Sequence, residues 1–353
     1  MKKLYTTTKY KKRQKRRIEK IKKKIKNKLL LLKKTKGRAT TKYNKKKEFN
    51  IKPPIYAPSK FRLIEDTEGC LLFFRNIRNE DYISSIGEQR FVIISLKNVV
   101  DVDYGTISIL TAIRDDLKFK GIMLRGEFPE KTKCKEFIIE SGFLNHMYDS
   151  NGKPFPKSNK SDFIFFEKGC GILSNSESMK ISTMVKNVVN HLIGENKHCQ
   201  HVKTIILEIC GNSIEWGGTQ NKQWLLGIKY ETGKVIFTVT DVGKGILERL
   251  HRNFNSKVTD FFSNKSNADI LKGAFVQKYG STTMEENRNK GLPSVKENFD
   301  KEKILNLKVL TNNVILHFDN HNLSKTFGNG SPRFKGTFYQ WEITQDCLNK
   351  QQL

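Results

Sequence analysis

The sequence predicts a mixed α/β protein with a basic N-terminal tail, and three observations lead to this prediction. Positive charge is concentrated in the first 50 of the 353 residues. Short apolar runs then alternate with helical patterns, which favours an α/β layer. After residue 175, two long helical segments precede a strand–turn–strand pattern, typical of an α+β two-layer sandwich. The expected boundaries are a tail and linker at 1–58, an α/β domain at 59–168 and the α+β sandwich at 174–346.

The tail carries most of the formal charge of +29. Residues 1–50 hold 23 Lys and Arg against two acids, or +21, whereas the other 303 residues hold 42 against 34, or +8. Apolar residues recur there at helical spacing: Ile18, Ile21, Ile25, Leu29 and Leu32. We expect residues 10–47 to be disordered or partly helical, and to fold on an anionic partner. Nucleic acid and an anionic membrane both fit, and a solvated tail without a partner is the remaining alternative.

The composition predicts a cytoplasmic protein. No run of 18 apolar residues is present, and Leu29–Leu32 is too short for the core of a signal peptide. The six cysteines are scattered without CxxC spacing, which indicates reduced core thiols. The segment His198–His201 contains two histidines and a cysteine, but its spacing fits no standard zinc site.

In the first half, Ile51–Pro58 is interpreted as a stiff linker. Strands are expected at Cys70–Phe74, Phe91–Leu96, Gly121–Leu124 and Phe163–Phe166. Helices are expected at Ile107–Leu117 and Cys134–Ser141, with Asp103 and Thr106 as capping residues of the first.

Three segments of this half resemble the STAS domain of anti-sigma-factor antagonists: Val92–Gly105, Gly121–Gly126 and Phe137–Leu144. The resemblance implies a domain that docks a protein partner. In that family the residue before the glycine is often a phosphorylated serine, whereas here it is Tyr104. Thr106 and Ser108 are the nearest hydroxyls that could be modified instead.

The second half begins with two predicted helices and continues with alternating strands and helices. Helices are expected at Ser176–Gly194, Val202–Glu215, Ala268–Lys278 and after Gly291. Strands are expected at Trp224–Tyr230, Lys234–Thr240, Ile304–Val309, Val314–Phe318 and Thr337–Ile343, and the first two are joined by a turn at Gly233.

Two motifs of this half carry chemistry. Glu208 and Asn212 are four residues apart and share one face of a helix. An amide oxygen can ligate Mg²⁺ and a glutamate can act as a base. Asp241 follows an apolar strand and opens the sequence Asp-Val-Gly-Lys-Gly, in which Gly243 and Gly245 permit close backbone approach.

These motifs resemble those of the GHKL ATPase superfamily, which includes gyrase, histidine kinases and anti-sigma-factor kinases. Two further motifs follow in the same order: a lid motif at Arg288–Lys296 and Gly336-Thr337 in the last strand. The family has glycine where Asn289 stands, and often a basic residue where Trp216 stands. The resemblance implies ATP and Mg²⁺ as cofactors. It also implies the site residues: Glu208 as catalytic base, Asn212 as metal ligand, and Asp241, Gly243, Gly245, Lys290, Gly291, Leu292 and Thr337 in nucleotide binding.

The sequence therefore suggests an ATP-binding regulatory protein that hydrolyses ATP slowly or transfers phosphate to serine or threonine. Its partner would be a protein bound by the first half, or a second copy in a homodimer. The alternative is a non-catalytic, nucleotide-gated adaptor that binds nucleic acid through the tail. A third hypothesis, a histidine kinase with His191 as phosphoacceptor, lacks the usual sequence context around that histidine.

Overall fold

A computed structural model describes Lys15, Glu19 and most of the chain from residue 49 onward. The described ranges are 49–145, 147–149, 152–155, 164–170, 174–216, 223–253, 265–276, 291–328 and 330–350. The backbone alone is described for 164–170, 212–216, 223, 252 and 253. Residues 1–48 form one compact unit and residues 49–353 another. In the first unit Lys15 and Glu19 are helical, and the other residues of 1–48 lie outside the described residues.

The described part of the second unit contains both strands and helices along its whole length. Its helices are α1 Thr67–Ile77, α2 Tyr104–Phe119, α3 Thr132–Glu140, α4 Asn175–Ile193, α5 Gln200–Trp216, α6 Ile246–Asn253, α7 Asn267–Phe275, α8 Gly291–Asp300 and α9 Gln345–Asn349. Its strands are β1 Phe49–Asn50, β2 Ile55–Tyr56, β3 Lys60–Phe61, β4 Ser84–Ile86, β5 Gln89–Ser95, β6 Asp101–Val102, β7 Ile122–Glu127, β8 Ile164–Cys170, β9 Gln223–Glu231, β10 Lys234–Asp241, β11 Leu305–Asn312, β12 Val314–His317, β13 Lys325–Thr326 and β14 Phe334–Thr344.

The first half contains a five-stranded sheet around β5, which pairs in parallel with β2 and β7 and antiparallel with β4. The predicted linker Ile51–Pro58 is therefore wrong in part, because β2 lies within it and belongs to the sheet. The expected strand at Cys70–Phe74 is also wrong, since these residues lie in α1. The buried residues of α1 recur at helical spacing. The Asp66 side chain caps this helix by accepting a hydrogen bond from the Gly69 amide. A short apolar run does not by itself separate helix from strand.

The second half contains a seven-stranded antiparallel sheet in the order β13-β12-β11-β14-β10-β9-β8. Helices α4 to α8 pack on one face, as expected for an α+β layer. The strand expected at Phe163–Phe166 is present as β8, but it pairs with β9 and so belongs to this sheet rather than to the first. The predicted turn at Gly233 joins β9 to β10, with a positive φ of 75°.

Helix α2 covers the opposite face of the seven-stranded sheet, which the sequence did not predict. The hydroxyl of Ser108 lies 3.0 Å from that of Thr238 and 3.1 Å from that of Thr240, both on β10. A methyl group on Gly105 would lie 3.0 Å from Phe338 and from Gln340 of β14, so the helix packs closely on the sheet. The helix also packs on β7 of the first sheet. Every residue from Tyr104 to Leu117 is therefore buried.

One apolar cluster consequently joins both halves. It combines residues of α1, α2 and the first sheet with side chains from the far face of the second sheet: Leu225, Val242, Leu310, Ile315, Phe327, Phe334 and Phe338. This shared core explains why residues 49–353 form one compact unit.

Within the part of the chain that the structure describes, no helix is both long and apolar enough to span a bilayer. Among the described residues, Cys70, Cys134, Cys199, Cys210 and Cys347 are buried and reduced, as the scattered cysteine spacing predicted.

The shared core predicts that Phe338→Ala will destabilise both halves together. Phe338 is about 1% exposed on β14 but belongs to the cluster that contains α2, and removing such a ring costs about 3–5 kcal/mol. The midpoint urea concentration of unfolding should fall by the same amount with two probes. These are tryptophan fluorescence, which reports on the second half, and hydrogen exchange in β5. Phe119→Ala is the control, because Phe119 at the end of α2 is 54% exposed. Two separate transitions would contradict a common core.

Candidate functional site

The predicted site residues Asp241 and Thr337 lie directly opposite each other. They are the last register pair of β10 with β14, and their side chains are only 3% and 4% exposed. The Asp241 carboxylate accepts a hydrogen bond from the Gly243 amide at 2.9 Å, and it also accepts hydrogen bonds from the hydroxyl and the amide of Thr337. The sheet thus brings together two residues that are 96 positions apart in the sequence.

Burial raises the pKa of Asp241 to about 6. The hydrogen bonds from Gly243 and Thr337 and the positive charge of Arg249 act in the opposite direction, but more weakly than desolvation. A buried carboxylate with a strongly shifted pKa is more frequent at binding and catalytic sites than elsewhere. This side chain is therefore the strongest indication of a functional site in the described structure.

Two glycines allow the backbone around Asp241 to pack closely. Gly336 has a φ of 145°, and a Cβ on it would collide with the backbone carbonyl of Asp241. Gly245 has a φ of 85°, and a Cβ there would lie 2.5 Å from Asn312 Oδ1. Gly243 lies two residues after Asp241 and is half-buried, and its amide donates to the Asp241 carboxylate. Gly245 therefore packs closely within the protein, whereas the role of Gly243 and Gly245 in shaping a nucleotide pocket stays a prediction.

Thr311 and Asn312 support this turn, and the sequence analysis did not identify them. Thr311 Oγ1 accepts a hydrogen bond from the Ile246 amide at 2.9 Å. Asn312 Oδ1 accepts from the next two amides of α6, and its Nδ2 donates to the Lys244 carbonyl at 2.9 Å. The first amides of α6 are thereby bound within the protein. The sequence feature that marks these two residues is the polar Thr-Asn-Asn stretch between two apolar strands. By itself this pattern indicates only a turn.

Glu208 and Asn212 both lie in α5, as predicted, and Glu208 is half-exposed. Helix α5 is anchored to the sheet by buried residues of its other face, including Ile205, Ile209 and Cys210. Alternation along β10 directs Asp241 to the same face of the sheet as Val239, which packs with α5 in one core. The helix and the Asp241 side chain thus lie on one side of the sheet, whereas the Asn212 side chain is outside the described residues.

The lid motif is described only at its C-terminal end. Gly291 begins α8, as predicted, and Leu292 packs against the core under the helices. Lys290 and the preceding Arg288 and Asn289 lie outside the described residues.

In the first half, the position corresponding to the phosphorylated serine of STAS domains is buried against the second sheet. Tyr104 is about 4% exposed, its hydroxyl is hydrogen-bonded to Thr238, and burial raises its pKa. Thr106 and Ser108 are fully buried, and the Thr106 hydroxyl donates to Asp103, the N-cap of α2. These three hydroxyls are engaged in packing and are not accessible to a kinase.

The other histidines considered from the sequence are engaged in local contacts. His191 Nε2 lies 2.8 Å from the Glu231 carbonyl, and its ring packs edge-on against Tyr230. The Cys199 thiol lies 3.7 Å from the ring nitrogens of His201. Among the residues for which the structure gives side chains, no group of three His, Cys, Asp or Glu could hold a metal ion.

The chain matches no protein-family model, and no curated protein is significantly similar to it.

The pKa of Asp241 predicts how Asp241→Asn will change stability with pH. Its folded value of about 6 lies above the unfolded value of about 3.9, so the ionised folded state is penalised above pH 6 and the penalty disappears as the pH falls below 4. The variant should gain up to about 3 kcal/mol relative to the unmodified protein at pH 7.5, and little of that gain should remain at pH 4.

Urea unfolding of both proteins between pH 4 and 7.5 measures this difference. Burial lowers the pKa of His201 to about 4, but both proteins share that effect and it cancels in the comparison. A stability difference between the two proteins that does not vary with pH would contradict a raised pKa of Asp241.

Proposed function

We propose that this protein binds Mg-ATP in its second half, in the manner of the GHKL ATPases that its motifs resemble. The observation that carries the proposal is the buried Asp241–Thr337 pair at the ends of neighbouring strands, on the sheet face that α5 covers. A buried carboxylate can accept a hydrogen bond from the adenine amino group, and the half-buried Gly243, which has no side chain, would let a flat base approach its backbone.

The remaining roles follow from the same arrangement. Asn212 lies one helical turn beyond Glu208 on α5, where its amide oxygen would ligate Mg²⁺. Glu208 would act on a water molecule or on a protein hydroxyl as a general base. The N-terminus of α8 at Gly291 and Leu292, together with Lys290, would contact phosphate. Bound Mg²⁺ would supply charge neutralisation to the phosphates.

The first half would act as a STAS-like regulatory domain for a protein partner or for a second copy of the chain. Because α2 is buried between the sheets, we expect the partner to bind elsewhere on this half. The hydroxyls of Tyr104, Thr106 and Ser108 are not available as phosphorylation switches in this arrangement. The reduced, buried cysteines support a reducing, cytoplasmic location.

Binding of ATP should depend on Asp241 and discriminate adenine from guanine. In calorimetric titrations with Mg²⁺ present, ATP should bind and GTP should not, because guanine has a carbonyl where adenine has an amino group. Asp241→Asn should weaken ATP binding about 10- to 100-fold, as expected for loss of a hydrogen bond to a charged group. Asn212→Ala should weaken binding in the presence of Mg²⁺ but not in its absence.

Two control variants match these changes chemically. Asp319→Asn and Asn187→Ala alter an exposed aspartate after β12 and an exposed asparagine on α4. If the unmodified protein does not bind ATP, or if Asp319→Asn weakens binding as much as Asp241→Asn, the nucleotide proposal is wrong.

The alternative is a nucleotide-gated adaptor, and the charge of +21 in residues 1–50 favours it. In that case ATP would set the conformation, and the tail would bind nucleic acid through phosphates in a salt-dependent manner. An anionic membrane is the competing partner for residues 10–47, and vesicle binding distinguishes it.

The variant Glu208→Gln distinguishes the proposed enzyme function from the adaptor function. A glutamine keeps the size and polarity of the side chain but cannot accept a proton, so ATP binding should persist while phosphate release falls at least about 100-fold. The measurement is single-turnover phosphate release and phosphate transfer with radiolabelled ATP. Glu215→Gln, seven residues further along α5 in its last turn, is the control. Absence of turnover in the unmodified protein, with ATP-dependent binding of nucleic acid retained in Glu208→Gln, would establish the adaptor.

A further inference from the structure

Arg78 connects the first half of the protein to the backbone on which Asp241 and Thr337 are mounted. It is the residue that ends α1, and its side chain is only 16% exposed. One guanidinium nitrogen donates to the carbonyl of Val242 at 2.7 Å, and the other donates to the carbonyl of Lys335, also at 2.7 Å. Val242 follows Asp241 directly, and Lys335 comes two residues before Thr337.

These two carbonyls lie where the ladder between β10 and β14 ends. Asp241 and Thr337 are the last residues paired in register. The backbone beyond them must stay in close contact, because a Cβ on Gly336 would collide with the Asp241 carbonyl. The Val242 carbonyl belongs to a buried residue and needs a donor, and the planar fork of an arginine can serve it and the carbonyl of the exposed Lys335 at once. Arg78 thus bridges the strands at the point where their own hydrogen bonds stop.

The position of Arg78 is itself set by the first half. Asp116 on α2 is buried, and its Oδ2 lies 3.9 Å from the guanidinium and 2.7 Å from Lys120 Nζ. Burial lowers the pKa of Arg78, while the charges of Asp116 and Asp241 act in the opposite direction. Because a guanidinium stays protonated in proteins, Arg78 places a positive charge near Asp241, on the side of the sheet opposite to α5.

We propose that Arg78 is a positioning residue for the nucleotide site, through which the first half controls the site's geometry and the charge state of Asp241. This inference rests on the proposed function. It makes α1 a required part of the site rather than an attached docking element. A partner that moves α1 or Asp116 would change nucleotide affinity without touching the nucleotide.

The test uses the full-length chain with Arg78→Ala, Arg78→Lys and Arg75→Ala. Arg75 lies one turn earlier on α1 and is exposed, so its removal is the matched control. Arg78→Ala should raise the dissociation constant for Mg-ATP about ten-fold or more. It should also move the pH at which ATP binding is half-lost to a higher value, because removing a nearby positive charge raises the pKa of a carboxylate further. Arg249 on α6 and Tyr339 on β14 also face Asp241 and are unchanged in all three variants.

Arg78→Lys separates geometry from charge. A lysine keeps the positive charge but cannot donate to both carbonyls in the same way, so affinity should fall while the pH midpoint stays in place. If Arg78 had a purely structural role, its substitution would change the stability of the protein without changing the pH at which ATP binding is half-lost. If Arg78→Ala does not fold, Arg78→Lys still tests the loss of affinity.

Hydrogen exchange distinguishes failure of this inference from failure of the proposed function. Amides of Gly243 to Ile246 should exchange faster in both Arg78 variants than in Arg75→Ala, whether or not ATP binds. If the unmodified protein does not bind ATP, the proposed function fails, and faster exchange at these amides still supports the positioning role. Unchanged exchange, or ATP affinity in Arg78→Ala equal to that of the unmodified protein, would overturn the inference.

Discussion

The packing of α2 between two sheets is the constraint on which the rest of this structure depends. A helix that is buried on all sides must place small or hydrogen-bonded side chains wherever a strand approaches closely. Gly105 and Ser108 meet this requirement against β10 and β14, and the Ser108 hydroxyl is paired with those of Thr238 and Thr240. An unpaired hydroxyl at this depth would cost about 1–3 kcal/mol, so these pairs also fix the register of the helix on the sheet.

This packing changes what the STAS-like segment can do. Here the first turn of α2, from Tyr104 to Ser108, is buried against the second sheet. The same packing gives the first half a direct route to the candidate site, because α1 and α2 bring Arg78 and Asp116 to the ends of β10 and β14. The first half therefore contacts the strand ends of the candidate site through side chains that are mostly buried.

The candidate site combines groups whose burial is individually unfavourable. An ionised Asp241 at 3% exposure is stabilised by hydrogen bonds from Gly243 and Thr337, and its pKa is nevertheless raised to about 6. Gly245 and Gly336 adopt backbone conformations that other residues enter only with strain. Glycines in conformations that other residues avoid and a poorly solvated carboxylate occur together at these strand ends, and their coincidence supports the assignment of a binding site.

The sequence by itself determined most of the helices and strands of the second half, because long periodic segments and turn residues such as Gly233 report on local geometry. It also singled out Asp241 and Thr337 as candidate nucleotide-binding residues through the resemblance of their motifs, although not their contact with each other, and it identified Asp103 as the cap of α2. Where the apolar run was short, as at Cys70–Phe74, the local pattern was compatible with both helix and strand, and burial against α2 selected the helix. The pairing of β2 with β5 and of β8 with β9, the burial of Tyr104, and the supporting roles of Arg78, Thr311 and Asn312 were decided by the tertiary structure alone. Each of these depends on contacts between residues far apart in the chain, and the chemistry of a single residue does not specify which distant backbone group it will meet.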